Sequence, residues 1–397
     1  MNSNKKLSIL TLNAGSSSLK IALFEMDEPE FCMLTSEIDR IGLKASRFKV
    51  KGGDGATIVD QHMDIADHEA ALQTFFHWFD SHPSSRPLDA IGHRVVFGGT
   101  KHSQPTAVDA KLIAALKELV PLDPEHLPAA IRTMDTVSRL YPDAAQVACF
   151  DTAFHRTMPP AAQTYAIPAS YTQEGVIRYG FHGLSYEYIV YELAKLGEPD
   201  GRVIAAHLGS GASMAAIRDG KSIDTTMGFT PTAGLVMSTR SGDMDPGIIT
   251  YMTQEKKLSS KVVSHILNEQ SGLLGVSGST SDMKELLDRE KTDPDSALAV
   301  EMFCYVASKF IGAFAAALGG LDRLIFAGGI GENAPGIRKR ICAGLGFLGI
   351  ELDADANKAN APVISPDNGQ VKVRVIKTDE ELMIARHTKN IVEGGTK

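Results

Sequence analysis

The chain has 397 residues, of which 43% are hydrophobic and 22% charged, and its formal net charge is −8. This length exceeds what one hydrophobic core usually supports, so we expect at least two domains, and the composition is that of a folded globular protein rather than a disordered or fibrous one. Nucleic-acid binding is not expected, because a polyanionic partner requires clustered lysine and arginine.

The cysteines and the apolar segments bear on the compartment. The four cysteines are Cys32, Cys149, Cys304 and Cys342. They are far apart and form no CxxC pair, which predicts buried free thiols in a reducing cytosol. The apolar segment after Lys6 is too short for a signal peptide, and the run that begins at Phe310 is too short to span a bilayer. We therefore expect a cytoplasmic protein that does not enter a membrane.

The first predicted elements are two strands within residues 7–26. Apolar and polar residues alternate on both sides of the sequence "NAGSSS", at residues 13–18, which indicates a β-hairpin with these small residues at its tip. Apolar residues spaced by three and four predict helices over 66–79 and 109–120. The segments "LDAIGHRVVFGG" and "AAQVACFDTAF" are typical of strands. This alternation predicts α/β layers around a buried sheet.

A second hairpin resembles the first. The sequence "RVIAAHLGSGASMAAIRDGKSI" contains two apolar strands around Gly209-Ser210-Gly211, and Gly209 lies 194 residues after Gly15. This spacing is close to half the chain, so the repeat suggests two lobes built on one plan, although so short a match can also arise by chance.

A long helix is predicted over 296–318, ending at Gly319-Gly320, and a short strand over 324–327 leads into a glycine turn, "AGGIGENA", followed by a helix near Pro335. The turn offers backbone N–H groups at a helix N-terminus, as nucleotide sites do. Its pattern G-x-G-x-x-A, with Glu351 twenty residues after Gly331, also fits a dinucleotide-binding site, and a ligand-free loop is a third interpretation.

The hairpin tip "NAGSSSLK" does not have the spacing of a P-loop, and its S-x-x-K pattern lacks the accompanying motifs of penicillin-recognising enzymes. Hydroxyls, free amides and Lys20 could hold phosphate oxygens and Mg²⁺, whereas the alternative is a solvated turn. Four more candidates are Arg94, Asp151, His182 and Arg240. Each also has a structural explanation: a surface ion pair for the arginines, a helix cap for Asp151 and a core imidazole for His182.

Taken together, the motifs resemble those of the acetate kinase (acetokinase) family, which includes propionate and butyrate kinases. The matching segments are "LTLNAGSSSLK", "GHRVV" and "GG", "FDTAFH", "YGFHG", "HLGSGAS", "GLVMSTRSGDMDPG", "GGIGEN" and "TDEELMIA". The resemblance implies a two-lobed α/β protein with the duplicated ribonuclease H-like fold of actin, sugar kinases and Hsp70, and an active-site cleft between the lobes. It also implies an N-terminal lobe of residues 1–151 with about 380–397, and a nucleotide-binding lobe of residues 152–379.

The same resemblance implies the reaction, reversible Mg²⁺-dependent phosphoryl transfer from ATP to acetate, with Mn²⁺ as an alternative metal, and a homodimer. It assigns Asn13 and Glu380 to the metal and Arg94 and Arg240 to the carboxylate and phosphoryl group. His182 would stabilise the transition state, and Asp151 matches a catalytic acid/base. The residues implied to contact ATP are Lys20, Ser16, Ser18, His207, Leu208, Gly209, Ser210, Gly211, Asp282, Met283, Lys284, Gly329, Ile330, Gly331, Glu332 and Asn333. The implied acyl pocket consists of Val96, Leu122, Phe181 and Pro231.

Physical chemistry modifies one of these roles. A carboxylate nucleophile is already deprotonated at pH 7, so proton abstraction contributes little to its attack. We therefore expect Asp151 to orient Mg²⁺ or Arg94 rather than to act as a base.

The sequence departs from the family pattern at four positions: Phe97, where the family has His, Leu127 and Ser210, where it has Asn, and Lys284, where it has Arg. A serine offers one hydroxyl in place of an amide, and lysine keeps the charge but not the planar fork. These changes bear on the nucleotide preference and the catalytic efficiency, and they leave open a catalytically weakened nucleotide-binding protein. Propionate is the alternative substrate, because one or two methylenes in an apolar pocket change specificity by only about 1–3 kcal/mol.

Overall fold

The computed structural model describes residues 6–15, 17–82 and 85–394. The chain divides into two compact units, which we call unit 1 (Met1–Ala153 with Asp379–Lys397) and unit 2 (Phe154–Thr378). Ser16, implied above to contact ATP, lies outside the described residues.

The strands and helices follow in chain order. The strands are β1 (Ser8–Ala14), β2 (Ser18–Glu25), β3 (Phe31–Asp39), β4 (Ser46–Gly52), β5 (Thr57–Met63), β6 (Ala90–Val95), β7 (Thr106–Ala107), β8 (Ala145–Phe150), β9 (Arg202–Leu208), β10 (Ala212–Arg218), β11 (Lys221–Thr225), β12 (Arg323–Ala327) and β13 (Lys372–Val375). The helices are α1 (His68–Ser81), α2 (Ala110–Leu119), α3 (Leu127–Leu140), α4 (Pro160–Gln163), α5 (Ala169–Gln173), α6 (Gly183–Lys195), α7 (Pro246–Gln254), α8 (Ser260–Glu269), α9 (Gly272–Ser277), α10 (Met283–Arg289), α11 (Pro294–Leu318), α12 (Gly328–Asn333), α13 (Pro335–Cys342), α14 (Ala354–Lys358) and α15 (Glu380–Val392).

The sheet of unit 1 has the strand order β5-β4-β3-β2-β1-β6-β8-β7. Strands β1 and β2 form the predicted antiparallel hairpin, whereas β1, β6 and β8 run parallel. Helix α15 packs against β1, β6 and β8. At Gly92 of β6 a Cβ atom would lie 2.3 Å from Thr388 Oγ1, so this close approach of helix and sheet requires glycine.

The sheet of unit 2 has the order β11-β10-β9-β12-β13. Its first three strands are antiparallel, and β9, β12 and β13 are parallel. The strands β3-β2-β1-β6-β8 of unit 1 have the same order and directions. The second hairpin, β9–β10, therefore corresponds to the first, as the internal repeat predicted.

The segment "GGIGEN" differs from the prediction. It was expected to be a glycine turn leading into a helix, but residues 328–333 themselves form α12, and Pro335 begins the next helix, α13. Gly328 adopts a φ of +74°, and a Cβ there would lie 2.7 Å from the carbonyl oxygen of Leu208 at the end of β9. The close packing of α12 on β9 thus depends on this glycine.

Helix α11 begins after the N-cap Asp293 and ends at Gly319 in the left-handed conformation, close to the predicted bounds. Within the described ranges it is the one helix long and apolar enough to cross a membrane by length and composition, with a mean hydropathy of 1.5 over an 18-residue window. The apolar run from Phe310, predicted above to be too short to span a bilayer, is the C-terminal part of this helix. Buried side chains recur every three or four residues along α11, as on a helix that packs on a protein core.

All four cysteines are free thiols, as predicted, and three are buried. Burial raises the pKa of Cys304 and of Cys342 to about 12 and that of Cys32 to about 11. These thiols are therefore protonated and unreactive near neutral pH.

Glu198 connects three cations in unit 2. Its carboxylate accepts hydrogen bonds from Arg374 and Lys372 at 2.7 and 2.8 Å and from Arg323 at 3.0 Å. Burial alone would raise the pKa of Glu198, but these hydrogen bonds and charges outweigh it and lower the pKa to about 2.

We expect this cluster to stabilise unit 2 in a pH-dependent way. The folded-state pKa of Glu198 lies below its ordinary value of 4.5, so its stabilisation is full above about pH 4.5 and is lost as the pH falls towards 2. Glu198→Gln should lower the free energy of unfolding by about 2–3 kcal/mol at pH 7 and by much less at pH 3.

Urea unfolding of both proteins at the two pH values measures this. Glu192→Gln is the matched control, because its carboxylate has an exposed lysine, Lys195, as its ion-pair partner and should change stability by less than about 0.5 kcal/mol. An equal loss for Glu198→Gln at both pH values would contradict the prediction.

Candidate active site

In unit 1 the predicted polar residues meet at one edge of the sheet. Asn13 and Arg94 lie near the carboxyl ends of β1 and β6, Asp151 directly follows β8, and Glu380 begins α15. The carboxyl ends of parallel strands share one edge, so residues far apart in sequence come together there.

Arg94 is the centre of this group. Its Nη2 donates to Asp151 Oδ2 at 2.7 Å, its Nη1 donates to Asn13 Oδ1 at 3.2 Å, and its Nε lies 3.9 Å from Glu380 Oε2. The side chain of Arg94 is 14% exposed and that of Asp151 is fully buried. Burial by itself lowers the pKa of Arg94, but Asp151 and Glu380 more than compensate, and the net shift is upward. The surface ion pair considered for Arg94 is therefore wrong.

A residue that the sequence analysis missed, Glu381, belongs to this group. Asn13 Nδ2 donates to Glu380 Oε2 at 3.1 Å and to Glu381 Oε1 at 3.2 Å. Burial, followed by the charge of Glu380, raises the pKa of Glu381. The second glutamate of "TDEELMIA" was the available signal, but two adjacent glutamates at a helix start do not reveal that both contact Asn13.

The oxygen donors of this group fit a hard divalent cation such as Mg²⁺. No cluster of three or more His, Cys, Asp or Glu suited to a metal occurs in the part of the chain that the structure describes. An ion held by Asn13 and Glu380 would therefore complete its shell with phosphate oxygens and water, which is the usual way in which proteins bind Mg²⁺.

The hairpin tip of unit 1 lies beside these residues. Lys20 is opposite Asn13 in the β1–β2 register and is exposed, and Ser18 is partly buried. His68, the first residue of α1, donates from Nε2 to the carbonyl oxygen of Gly15 at 2.8 Å. No sequence pattern indicates this contact between α1 and the hairpin tip.

The implied acyl-pocket residues fall in both units. Val96 and Leu122 belong to unit 1, where they are partly buried, and Phe181 and Pro231 belong to unit 2. Two of the family departures, Phe97 and Leu127, are almost completely buried in unit 1. Both are therefore core side chains, and neither supplies a polar group.

In unit 2 three predicted residues converge on the tip of the β9–β10 hairpin. The rings of His182 and His207 stack with their centroids 4.5 Å apart. A Cβ atom on Gly211 would lie 3.4 Å from His182 Nε2 and 3.8 Å from Arg240 Nη1. The missing side chain thus leaves space beside an imidazole and a guanidinium, which are both hydrogen-bond donors suited to an anion.

The backbone at His182 is held in an uncommon conformation. His182 is left-handed, with a φ of 58°, and precedes α6. His155 donates from Nε2 to the carbonyl oxygen of Phe181 at 3.0 Å, and its Nδ1 therefore accepts from Ser222 Oγ at 2.8 Å. A Cβ at Gly180 would lie 2.6 Å from the His155 ring. His155 lies in the matching motif "FDTAFH", but its role was not predicted.

The remaining segments implied to contact ATP also lie in unit 2. Gly331 of α12 packs on Leu208, so "HLGSG" and "GIGEN" come together. Ser210 has an exposed side chain, and its carbonyl oxygen accepts from Ser238 N at 3.1 Å. Asp282 caps α10 by accepting from Glu285 N, and Lys284 is exposed.

A second missed residue, Arg338, supports α12. It is fully buried, and it donates hydrogen bonds to neutral oxygens. They are the carbonyl oxygens of Gly331, Glu332 and Asn357 and the side-chain oxygens of Asn357 and Asn360, at 2.6–3.0 Å. Burial lowers the pKa of Arg338. The sequence "IRKR" contains three cationic residues, and its pattern alone does not show which one points inward.

Comparisons with known proteins agree with this architecture. A model described as the acetokinase family matches residues 8–386. An acetate kinase of Rhodopseudomonas palustris (strain TIE-1) is 44% identical over 396 residues, which cover 98% of this chain and 99% of that protein. The structure of a propionate kinase from Francisella tularensis has a TM-score of 0.90 and 38% identity, covering 97% and 99% of the two chains. For Porphyromonas gingivalis acetate kinase the TM-score is 0.87 and the identity 38%, covering 97% and 100%.

Proposed function

The chain belongs to the acetokinase family, and we propose that it transfers the γ-phosphoryl group of ATP reversibly to acetate, giving acetyl phosphate and ADP. It is a phosphotransferase with a carboxyl group as acceptor, and this chemistry requires ATP and a divalent metal. The observation that carries the proposal is the convergence of His182 and Arg240 beside Gly211. An imidazole and a guanidinium on one side of a glycine can both donate hydrogen bonds to a phosphoryl group.

We assign Arg240 and His182 to the transferring phosphoryl group. In-line transfer spreads negative charge over the equatorial oxygens, so positioned donors stabilise the transition state more than the ground state. Residues 207–211, 282–284 and 329–333 of unit 2 would contact ATP. The family resemblance also implies phosphate contacts for Ser16, Ser18 and Lys20.

We assign Arg94 to the carboxylate of acetate. Its planar fork suits bidentate binding, and its bond to Asp151 fixes the direction of the guanidinium. Asp151 thus acts by orienting Arg94, because the acceptor carboxylate needs no base. Of the residues that the family resemblance implies for the methyl group, Val96 and Leu122 belong to the same unit as Arg94.

We further propose Mg²⁺ as the metal, held by Asn13 and Glu380 with Glu381 nearby. When bound, it supplies positive charge against the phosphate oxygens. The chain itself holds these ligand oxygens in place: Arg94 donates to Asn13 Oδ1, and Asn13 Nδ2 donates to Glu380 and Glu381.

The experiment that tests the proposal measures acyl phosphate, trapped as hydroxamate, with acetate, propionate and butyrate and with ATP, GTP and pyrophosphate as donors. We expect the highest kcat/KM for acetate with ATP and Mg²⁺. Propionate is the second candidate, since a propionate kinase is a close structural relative and one methylene changes specificity by about 1–3 kcal/mol. ATP binding without acyl phosphate from any acid would overturn the proposal in favour of a nucleotide-binding protein.

We also propose a cytoplasmic homodimer. Helix α7 exposes Ile248, Ile249 and Tyr251, by 43%, 41% and 52% respectively. Exposed apolar side chains grouped in this way favour association with a second copy. Sedimentation velocity would give the molecular mass in solution, and a monomer at micromolar concentration would contradict the dimer.

A further inference from the structure

Two buried hydroxyl groups lie behind His182. The His182 Nδ1 atom is 2.8 Å from Ser213 Oγ, which is 2.5 Å from the phenolic oxygen of Tyr186. Ser213 lies on β10, and Tyr186 is four residues after His182, on α6. Both are completely buried. Tyr186, Ser213 and His182 are thus connected by consecutive hydrogen bonds, which we call the Tyr186–Ser213 line.

The acidities of the groups give this line a direction. We assign the phenol, the stronger acid, as the donor to Ser213 Oγ, which leaves the single Ser213 proton for His182 Nδ1. A neutral imidazole that accepts at Nδ1 carries its hydrogen at Nε2. That atom lies 3.4 Å from the Cβ position of Gly211.

The other groups around the ring agree with a neutral imidazole. Arg240 Nη1 lies 3.8 Å from the Cβ position of Gly211, and the His207 ring stacks on His182. The guanidinium opposes a second positive charge at this place. The backbone of residues 180–182 is held separately, by His155, so the Tyr186–Ser213 line acts on the orientation and tautomer of the His182 ring.

We propose that Tyr186 and Ser213 are positioning residues that hold His182 as the Nε2–H tautomer, so that it donates this hydrogen to the transferring phosphoryl group. The inference rests on the function proposed above and extends it. No proton is transferred: His182 Nε2–H remains a donor throughout, and Ser213 and Tyr186 keep their hydroxyl hydrogens.

Kinetics of three variants test this. Tyr186→Phe removes one oxygen and keeps the ring that packs against Phe154 and His155. We expect it to lower kcat about tenfold while the KM values for ATP and acetate change less than about twofold, because the Nδ1–H tautomer becomes populated. Ser213→Ala should lower kcat at least as much. The double variant should have the same kcat as Ser213→Ala, because Tyr186 acts on His182 only through Ser213.

Tyr191→Phe is the matched control, because Tyr191 lies on the same helix and contacts Tyr188 and Lys195 instead of the hydroxyl line. Its kcat should equal that of the wild-type enzyme. An unchanged kcat for Tyr186→Phe, or additive losses in the double variant, would overturn the proposal.

A spectroscopic measurement separates this proposal from the proposed function. In protein with ¹⁵N-labelled histidine, the His182 signals, assigned with His182→Gln, should show a protonated Nε2 in the wild type and an increased share of protonated Nδ1 in Tyr186→Phe. A wild-type Nδ1–H tautomer would refute the positioning role of Tyr186 and Ser213, even if acetyl phosphate is formed. Absence of acetyl phosphate with the expected tautomer would refute only the function.

Discussion

Arg94→Ala should lower kcat for acetyl phosphate formation by about a thousandfold, because it removes the cation that we assign to the acceptor carboxylate. The substitution also breaks the buried bond to Asp151, which typically costs about 3–5 kcal/mol of stability. Arg94→Lys avoids most of this loss, since it keeps the charge. We expect its kcat to fall about a hundredfold, because the single ammonium group of lysine cannot replace the planar guanidinium, which bonds to Asn13 and Asp151 and would also bind the acetate carboxylate.

The control for this pair is Arg86→Lys in the same unit. Arg86 is 33% exposed and pairs with Glu25, so its replacement should leave kcat unchanged within about twofold. A kcat for Arg94→Lys within threefold of wild type would contradict the assignment.

Asp151→Asn distinguishes the two roles of that carboxylate. If Asp151 orients Arg94, the variant should lose activity at every pH and keep both limbs of the pH–rate profile. Loss of one limb with a normal Mg²⁺ dependence would instead identify Asp151 as an acid or base.

Arg338→Met should have the second large effect. It leaves the carbonyl oxygens of Gly331, Glu332 and Asn357 buried without their donor, and we expect a loss of about 3–5 kcal/mol in the free energy of unfolding. Because two of these carbonyls belong to α12, the dissociation constant for ADP should also rise about tenfold, whereas the KM for acetate should be unchanged.

Arg340→Met is the matched control on the same helix. Arg340 forms a two-point ion pair with Glu290 but is 42% exposed, so its loss should cost less than about 1 kcal/mol. Arg338→Lys keeps the charge with fewer hydrogen-bond donors, so its loss of stability should lie between those of Arg338→Met and Arg340→Met. Urea unfolding and calorimetric titration with ADP measure both effects, and an Arg338→Met variant as stable as Arg340→Met would show that α12 does not depend on this guanidinium.

The segment "GGIGEN" shows where local patterns fail. Glycine disfavours helix, and three glycines in six residues predict a turn. The structure nevertheless forms α12, because Arg338 binds the carbonyl oxygens of its last turn and Gly328 allows it to pack on Leu208. Both causes lie outside the segment, so its own sequence could not reveal them.

The sequence by itself determined the two hairpins, the long helix α11 and, through the ordered family motifs, the polar residues that each unit assembles. These features depend on local periodicity, on glycine and serine at strand ends, and on motif spacing, all of which can be read along the chain. Only the tertiary structure decided that Glu381 joins Asn13, that His68 holds Gly15, that His155 fixes the segment before His182, and that Tyr186 and Ser213 lie behind its ring. These contacts depend on the exact positions of individual side chains. Those positions are set by the packing of elements that are distant in sequence, which no local pattern encodes.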